Sequence, residues 1–175
     1  MNIATNRNPK FNSAINPKLN STINPKFNST INPKLNSTIN PKLNSTINPK
    51  LNSTINPKLN STINPKLNST INPKLNSTIN PKLNSTINPI LNSDFKGYFM
   101  FDLNSDPVGF VVEANEKIII LFSFELNVIS FGVKHINGGY SIFNSENEFI
   151  SHFEKDSKTG FNNFDLDNGW IAYIK

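Results

Sequence analysis

The chain has 175 residues, no cysteine and a formal net charge of +5 at pH 7, which suits one domain or one domain with an appendage. The absence of cysteine excludes disulfides and thiolate metal sites. No apolar run approaches the ~18 residues of a membrane-spanning helix, and residues 1–9 lack the apolar stretch of a secretory signal. We therefore expect a cytoplasmic protein, with peripheral membrane attachment as the alternative.

Residues 1–93 form a segment of eight-residue repeats that read Ile-Asn-Pro-Lys-Leu-Asn-Ser-Thr. Proline recurs at every eighth position from Pro9 to Pro89, and such a constant period is typical of a repeat array. Asn and Pro favour the first and second positions of type I turns, so the pattern predicts one turn every four residues. Proline at this spacing excludes a continuous α-helix.

Two structures remain open for this repeat segment. One is a narrow solenoid with four tetrads per coil, in which Ile and Leu point inward and Asn side chains stack in ladders. The other is a flexible, turn-rich tether, because two large apolar residues in eight offer little to offset backbone entropy. The near-identical repeats also predict a tendency to slip in register or to self-associate.

Charge divides the chain at the same place as the repeats do. Residues 1–93 carry +11, from Arg7 and ten lysines spaced by eight, whereas residues 94–175 carry −6. This asymmetry predicts either an anionic partner for the first part or attraction between the two parts. The alternative is that the lysines only keep the repeats in solution. The candidate anion-binding residues are Lys34, Lys42, Lys50, Lys58, Lys66 and Lys74.

A second period, of 21 residues, organises the segment 94–175. Its marker column is Phe101, Phe122, Phe143 and Phe164. Each copy reads as strand, polar turn, strand, and the residues after the marker, such as Asp102, predict turn caps. A lone hairpin is marginal in water, and a closed ring of hairpins leaves no free edge. The predicted fold class is all-β, with four pseudo-symmetric β-hairpins in a shallow four-fold barrel, preceded by the repeat segment.

The four copies resemble the four-fold β-flower family of bacterial domains. The resemblance lies in hairpins of the form Gly-Tyr-x-x-Phe-Asp/Asn that end in Ile-small-aromatic, and it covers roughly residues 95–175. The second copy departs from the pattern, with Ile118-Ile119 in place of Gly-aromatic. The resemblance implies a shallow symmetric β-structure with an apolar middle and a link to lipids or membranes, and it carries no catalytic motif.

The sequence contains no recognisable catalytic or metal constellation. His135 and His152 are its only histidines, and a metal site would need further ligands. The carboxylates fall in predicted turns without acid–base pairing, and Gly138-Gly139 is followed by no helix that would make it a phosphate loop. We therefore expect no enzymatic activity and no cofactor.

Binding is the function class that these observations leave. We expect a non-enzymatic binding or adaptor module in which the 94–175 domain holds an apolar ligand, a lipid or a protein partner and the basic segment 1–93 assists. The alternatives are a structural or display array, whose copy number sets only its length, and a nucleic-acid tether using the lysines. Two columns supply the candidate ligand-binding residues: Phe110, Phe131, His152 and Tyr173, and Gly109, Ser130, Ser151 and Ala172.

Overall fold

A computed structural model describes residues 3–175 and shows a closed β-barrel preceded by an array of turns. The strands are β1 (Tyr98–Asp102), β2 (Pro107–Glu113), β3 (Ile118–Phe122), β4 (Val128–Lys134), β5 (Tyr140–Phe143), β6 (Phe149–Lys155), β7 (Phe161–Asp165) and β8 (Trp170–Ile174). Each strand is antiparallel to the next, and β8 pairs with β1. The expected all-β class is confirmed, and closure removes every free edge.

Within the described residues, helical structure is confined to three-residue 3-10 turns in the repeat segment. They are Thr5–Arg7, Ser29–Ile31, Ser37–Ile39, Ser53–Ile55, Ser61–Ile63, Ser69–Ile71, Ser77–Ile79 and Ser85–Ile87. Short 3-10 pieces suit this sequence because proline in every octad prevents a longer helix.

The 21-residue period reappears in the backbone of the hairpins β1–β2, β3–β4, β5–β6 and β7–β8. Each hairpin has one register shift immediately before its marker Phe. Each connecting turn has one residue with φ near +60°, namely Ser105, Leu126, Asn147 and Asn168. The expected caps also form, as in Asp102, whose Oδ1 accepts from the backbone N–H of Asn104 and Asp106 at 2.8 Å.

The barrel interior is filled by one of the two hydrophobic clusters of the described residues. Its aromatic members include Tyr98, Tyr140 and Phe161. The ring of Phe161 lies 5.8 Å from that of Tyr98 and 5.5 Å from that of Tyr140. Because these side chains come from non-adjacent strands β1, β5 and β7, they meet across the barrel axis. An eight-stranded barrel has room inside for such side chains and little else.

The other face of the strands carries stacked aromatic pairs. Ring centroids lie 5.5 Å apart in each pair: Phe101–Tyr173, Phe110–Phe122, Phe131–Phe143 and His152–Phe164. The second hydrophobic cluster unites this outer face with isoleucines of the repeats, among them Ile55 and Ile71. The repeats therefore cover the outside of the barrel.

Asparagine organises the repeats by making two kinds of hydrogen bond. Asn36 caps its own turn, since its Oδ1 accepts from Thr38 N at 3.1 Å and Thr38 Oγ1 at 2.7 Å. Its Nδ2 donates to the carbonyl of Thr30 in the preceding octad at 2.7 Å. Asn32 bonds in the same way to the carbonyl of Pro25 at 2.8 Å. These bonds reach back six or seven residues to backbone oxygens, so the expected sixteen-residue coil and Asn–Asn ladders are not what forms.

The isoleucines and leucines of the octads have opposite environments. Ile23, Ile47 and Ile71 are 0–1% exposed. Leu35 and Leu67, four positions away in the repeat, are 70% exposed. The expectation that both point inward is therefore wrong for leucine, because the apolar surface they could cover, the barrel, lies on one side of the repeat segment only.

The repeats from residue 8 to residue 93, here named the belt, pass once around the barrel. Belt lysines reach the turns at one end of the barrel, which we name the lysine rim. Along the chain these contacts run from the β1–β2 turn to the β7–β8, β5–β6 and β3–β4 turns, through Lys10–Asp106, Lys42–Asp167, Lys66–Glu146 and Lys82–Asn127. This is the order of the turns around the closed barrel.

The belt also contacts the opposite rim, and its two ends meet. Ser157 Oγ donates to the carbonyl of Thr22 at 2.9 Å, and Asn137 Nδ2 donates to that of Thr38 at 2.6 Å. Arg7, just before the belt, donates to the carbonyls of Phe95 and Gly97, just after it. The chain thus closes a ring before β1 begins.

Candidate binding groove between the belt and the barrel

A cavity lies between the belt and the outer face of β3 and β4, near the lysine rim. Its volume is about 430 Å³. On the barrel side its lining combines five apolar side chains with three polar ones, namely Ile120, Phe122, Leu126, Val128 and Phe131 with Asn127, Ser145 and Asn147. Val128 is 49% exposed. We name this cavity the groove; its size and apolar lining are those of small-molecule sites.

The belt side of the groove combines proline and lysine. Pro65 and Pro73 line it together with Lys66, Lys74 and Lys82. Because proline has no N–H to satisfy, it can border an apolar cavity at low cost. These three lysines are exposed, and we name the part of the groove that they border its mouth.

The three mouth lysines differ in their partners. Lys66 Nζ lies 3.2 Å from Glu146 Oε2, and its ammonium holds the pKa of that exposed carboxyl below its ordinary value. Lys82 Nζ donates to Asn127 Oδ1 at 3.1 Å. Within the described part of the chain, Lys74 Nζ has no carboxylate within ion-pair distance. The mouth therefore carries a net positive charge, with Lys74 available to an anion.

A smaller cavity of about 120 Å³ continues the same pattern at the next hairpin. Phe143 and Phe149 lie on its barrel side, and Pro49, Lys50 and Lys58 lie on its belt side. The sequence explains the recurrence, because in both places an octad with Pro-Lys meets a hairpin with aromatic residues.

Only one member of the predicted aromatic column reaches the groove. Phe131 lines it, whereas Phe110, His152 and Tyr173 are buried elsewhere on the outer face. Tyr173 donates from its hydroxyl to Ser105 Oγ at 2.7 Å, and burial raises its pKa to about 12. The environment of Phe110 and Tyr173 is that of packed core residues.

The predicted small column lies outside the groove. A Cβ on Gly109 would stand 2.3 Å from the carbonyl oxygen of Phe122, so glycine allows β2 and β3 to approach closely. Ser130 and Ser151 are buried, and Ala172 is partly exposed. None of the four lines the groove, and their environment agrees with the alternative that small residues let strands pack.

His152 belongs to a buried polar network that the sequence did not predict. Its Nδ1 lies 3.1 Å from Glu154 Oε1, and its Nε2 lies 3.1 Å from Asn168 Oδ1. His135 Nε2 lies 3.3 Å from the same Glu154 oxygen. All four side chains are buried. Side chains two residues apart in a strand lie on the same face of the sheet, so Glu154 lies on the face of His152. This spacing was the sequence signal from which the contact between the two could have been predicted.

The predicted lysines divide among three locations. Lys66 and Lys74 border the groove, and Lys50 and Lys58 border the smaller cavity. Lys42 Nζ pairs with Asp167 Oδ1 at 2.7 Å and keeps the pKa of that exposed carboxyl below its ordinary value, while Lys34 is exposed on the belt. The structure thus brings Phe131 together with Lys66 and Lys74, which two independent sequence patterns had indicated.

Comparisons with protein-family models, with curated proteins and with solved structures gave no match to this chain. Among residues 3–175, no group of three or more His, Cys, Asp or Glu side chains could hold a metal ion. No helix in this described part is long and apolar enough to cross a membrane.

Proposed function

We propose that the protein is a non-enzymatic binding module whose groove holds an apolar ligand with an anionic head. One observation carries the proposal: a cavity of about 430 Å³ combines the apolar side chains of β3 and β4 with three belt lysines at its mouth. Burial of a hydrocarbon chain contributes about 0.8 kcal/mol per methylene before the costs of binding. The lysines would orient the head at the mouth, where Lys74 is available.

The proposal includes a finer description of the architecture. The four hairpins form a pseudo-four-fold barrel, as the resemblance to the β-flower family implies. The octads form an ordered narrow solenoid with one octad per coil. Register shifts and left-handed residues at 21-residue spacing support the first part. Asparagine bonds from octad to octad support the second.

A structural role for the belt is the second candidate, and it is compatible with the first. It is favoured by the isoleucines that share a hydrophobic cluster with the outer face of the barrel. Without the belt, aromatic side chains such as Phe122 and Phe131 would be exposed. A nucleic-acid tether has less support, because Lys10, Lys42 and Lys66 already pair with carboxylates of the barrel.

The proposal is tested by titrating the full chain calorimetrically with dodecanoate and, separately, with dodecanol. We expect both to bind in the groove, with dodecanoate favoured. Lys74→Gln should weaken dodecanoate binding by up to about fivefold, the value of an exposed ion pair, and should leave dodecanol binding unchanged. Val128→Asn should weaken the binding of both, because it makes the apolar rim polar.

The chain offers one matched control variant in the belt and one in the barrel. Lys34→Gln removes the same charge from an octad outside the groove, and Ile150→Asn changes an exposed apolar residue on another hairpin. Neither should alter the binding of either probe. Absence of binding of both probes, or equal effects of Lys74→Gln and Lys34→Gln, would overturn the proposal.

A further inference from the structure

The outer surface of the belt carries a row of exposed large apolar side chains. Each octad contributes one, and each is 69–74% exposed. The row is Phe11, Leu19, Phe27, Leu35, Leu43, Leu51, Leu59, Leu67, Leu75, Leu83 and Leu91. Single exposed leucines need no explanation, but a surface that repeats one in every octad is of the kind that marks an interaction site.

Exposed lysine accompanies this row. In ten octads, from Lys10-Phe11 to Lys82-Leu83, the residue before the apolar side chain is an exposed lysine. All Asp and Glu of the chain come after residue 93, so the belt itself contributes no carboxylate. The surface therefore repeats an apolar side chain beside a lysine. Three of these lysines, Lys10, Lys42 and Lys66, pair with barrel carboxylates, and the other seven have no carboxylate within ion-pair distance among the described residues.

We infer that this Lys–Leu surface docks on a membrane that contains anionic lipids. An anionic bilayer is complementary to both elements, because its headgroups attract lysine and its acyl region accepts leucine. Repetition strengthens the attraction, since each contact that forms holds its neighbours close to the surface.

The same chemistry disfavours the other occupants. A second copy of the chain would bring one lysine row against another, and like charges repel. Nucleic acid would match the lysines, but single strands are held by stacking on aromatic rings, and only Phe11 and Phe27 in this row are aromatic. The apolar row is separate from the groove, whose lining includes none of its eleven side chains, whereas Lys66, Lys74 and Lys82 border both.

The test uses the full chain and vesicles of phosphatidylcholine, either pure or mixed with phosphatidylserine. Co-sedimentation should show binding to the mixed vesicles at low salt, weaker binding at high salt, and little binding to pure phosphatidylcholine. Equal binding to both vesicle types, or binding to neither, would overturn the inference.

Two sets of substitutions separate the leucines from the rest of the belt. Leu43→Ser, Leu51→Ser and Leu59→Ser together should weaken vesicle binding at least about tenfold, because three apolar contacts are lost. Ser45→Ala, Ser53→Ala and Ser61→Ala, on the same octads, should leave binding unchanged. Both sets change exposed side chains only, so the circular dichroism and melting of the chain should be those of the parent.

Binding of the row to a second copy of the chain or to DNA is tested with the parent protein and the same variants. Sedimentation velocity should show a species that does not grow with concentration, and a gel shift with duplex DNA should be unaffected by the leucine substitutions. Self-association that these substitutions abolish, or vesicle binding that survives them, would refute membrane docking through this row.

Discussion

Asparagine is the residue on which the belt depends, because it is both an acceptor and a donor. Asn52 Oδ1 accepts from Thr54 N at 3.1 Å and from Thr54 Oγ1 at 2.7 Å. Asn52 Nδ2 donates to the carbonyl of Thr46 at 2.6 Å. Aspartate would preserve the first function and lose the second, which agrees with the absence of Asp from the belt octads.

We expect Asn52→Asp to lower the free energy of unfolding by about 1 kcal/mol, the usual value of one hydrogen bond. Its oxygen would face the carbonyl of Thr46 without a proton to donate. Ser53→Asp adds the same charge at the adjacent exposed position and should change stability by less than about 0.5 kcal/mol. Urea denaturation measures both, and equal losses would show that charge, not the bond between octads, matters.

The raised pKa values of two buried tyrosines lead us to expect a loss of stability at alkaline pH. Burial raises the pKa of Tyr140 and of Tyr173 from the ordinary value of 10.0 to about 12. Between these values the unfolded chain has lost the phenolic protons and the folded chain still holds them. The unfolded state therefore binds fewer protons, and the free energy of unfolding falls as pH rises.

Denaturation followed from pH 9 to pH 12 should show this fall, and Tyr173→Phe should make the slope smaller. The variant loses the hydrogen bond to Ser105 Oγ, so its stability at neutral pH is compared separately. A slope unchanged by Tyr173→Phe would mean that Tyr173 titrates normally in the folded protein.

Within a single repeat element, a buried isoleucine and an exposed leucine can be given the same substitution and compared. Ile55 is 7% exposed and Leu51 is 70% exposed. Ile55→Asp should cost about 3–5 kcal/mol, since it buries a carboxylate without a partner. Leu51→Asp should stay within about 0.5 kcal/mol of the parent. Thermal melts of the full chain measure both effects. Similar effects would contradict the burial of Ile55 and the exposure of Leu51.

The strands and turns could be predicted from sequence because their signals are local. Aromatic and β-branched runs bounded by polar turns indicated β1 to β8, and Asp102 indicated a cap. The orientation of Leu51 could not be predicted, because Ile and Leu are equally apolar and the tetrad pattern places both alike. Isoleucine is buried and leucine is exposed because only isoleucine faces the surface of the barrel, and this contact exists only in the tertiary structure.

The groove was predictable only in part for the same reason. Phe131 was singled out by its 21-residue column, and Lys66 and Lys74 by the eight-residue period. Phe131 lies close to these lysines only because the octads that carry them pass beside β4. Which octad passes beside which strand depends on the path of the belt around the barrel, and no local sequence pattern specifies that path. His152 stood in an aromatic column, yet its partners Glu154 and Asn168 make its site polar.

At the scale of the whole molecule, the belt is a ring whose length must match the barrel that it surrounds. Lys42, Lys66 and Lys82 each meet a different turn of the lysine rim, and Arg7 meets the carbonyls of Phe95 and Gly97 where the ring closes. A structural or display array, one of the alternatives from the sequence, would have a copy number that sets only its length. In a closed ring, a missing octad leaves some of these contacts out of reach.

Deletion of residues 49–56 tests this, since it removes one octad and leaves the repeat in frame. We expect the loss of one buried isoleucine and of ring closure to cost at least about 2 kcal/mol, which lowers Tm by roughly 4–8 °C in a chain of this size. The control keeps the length and changes exposed side chains of the same octad, Leu51→Ser and Ser53→Ala, and should melt like the parent. If the shortened chain also melts like the parent, the repeats act as a tether of adjustable length, and neither the ring nor the groove that it encloses determines stability.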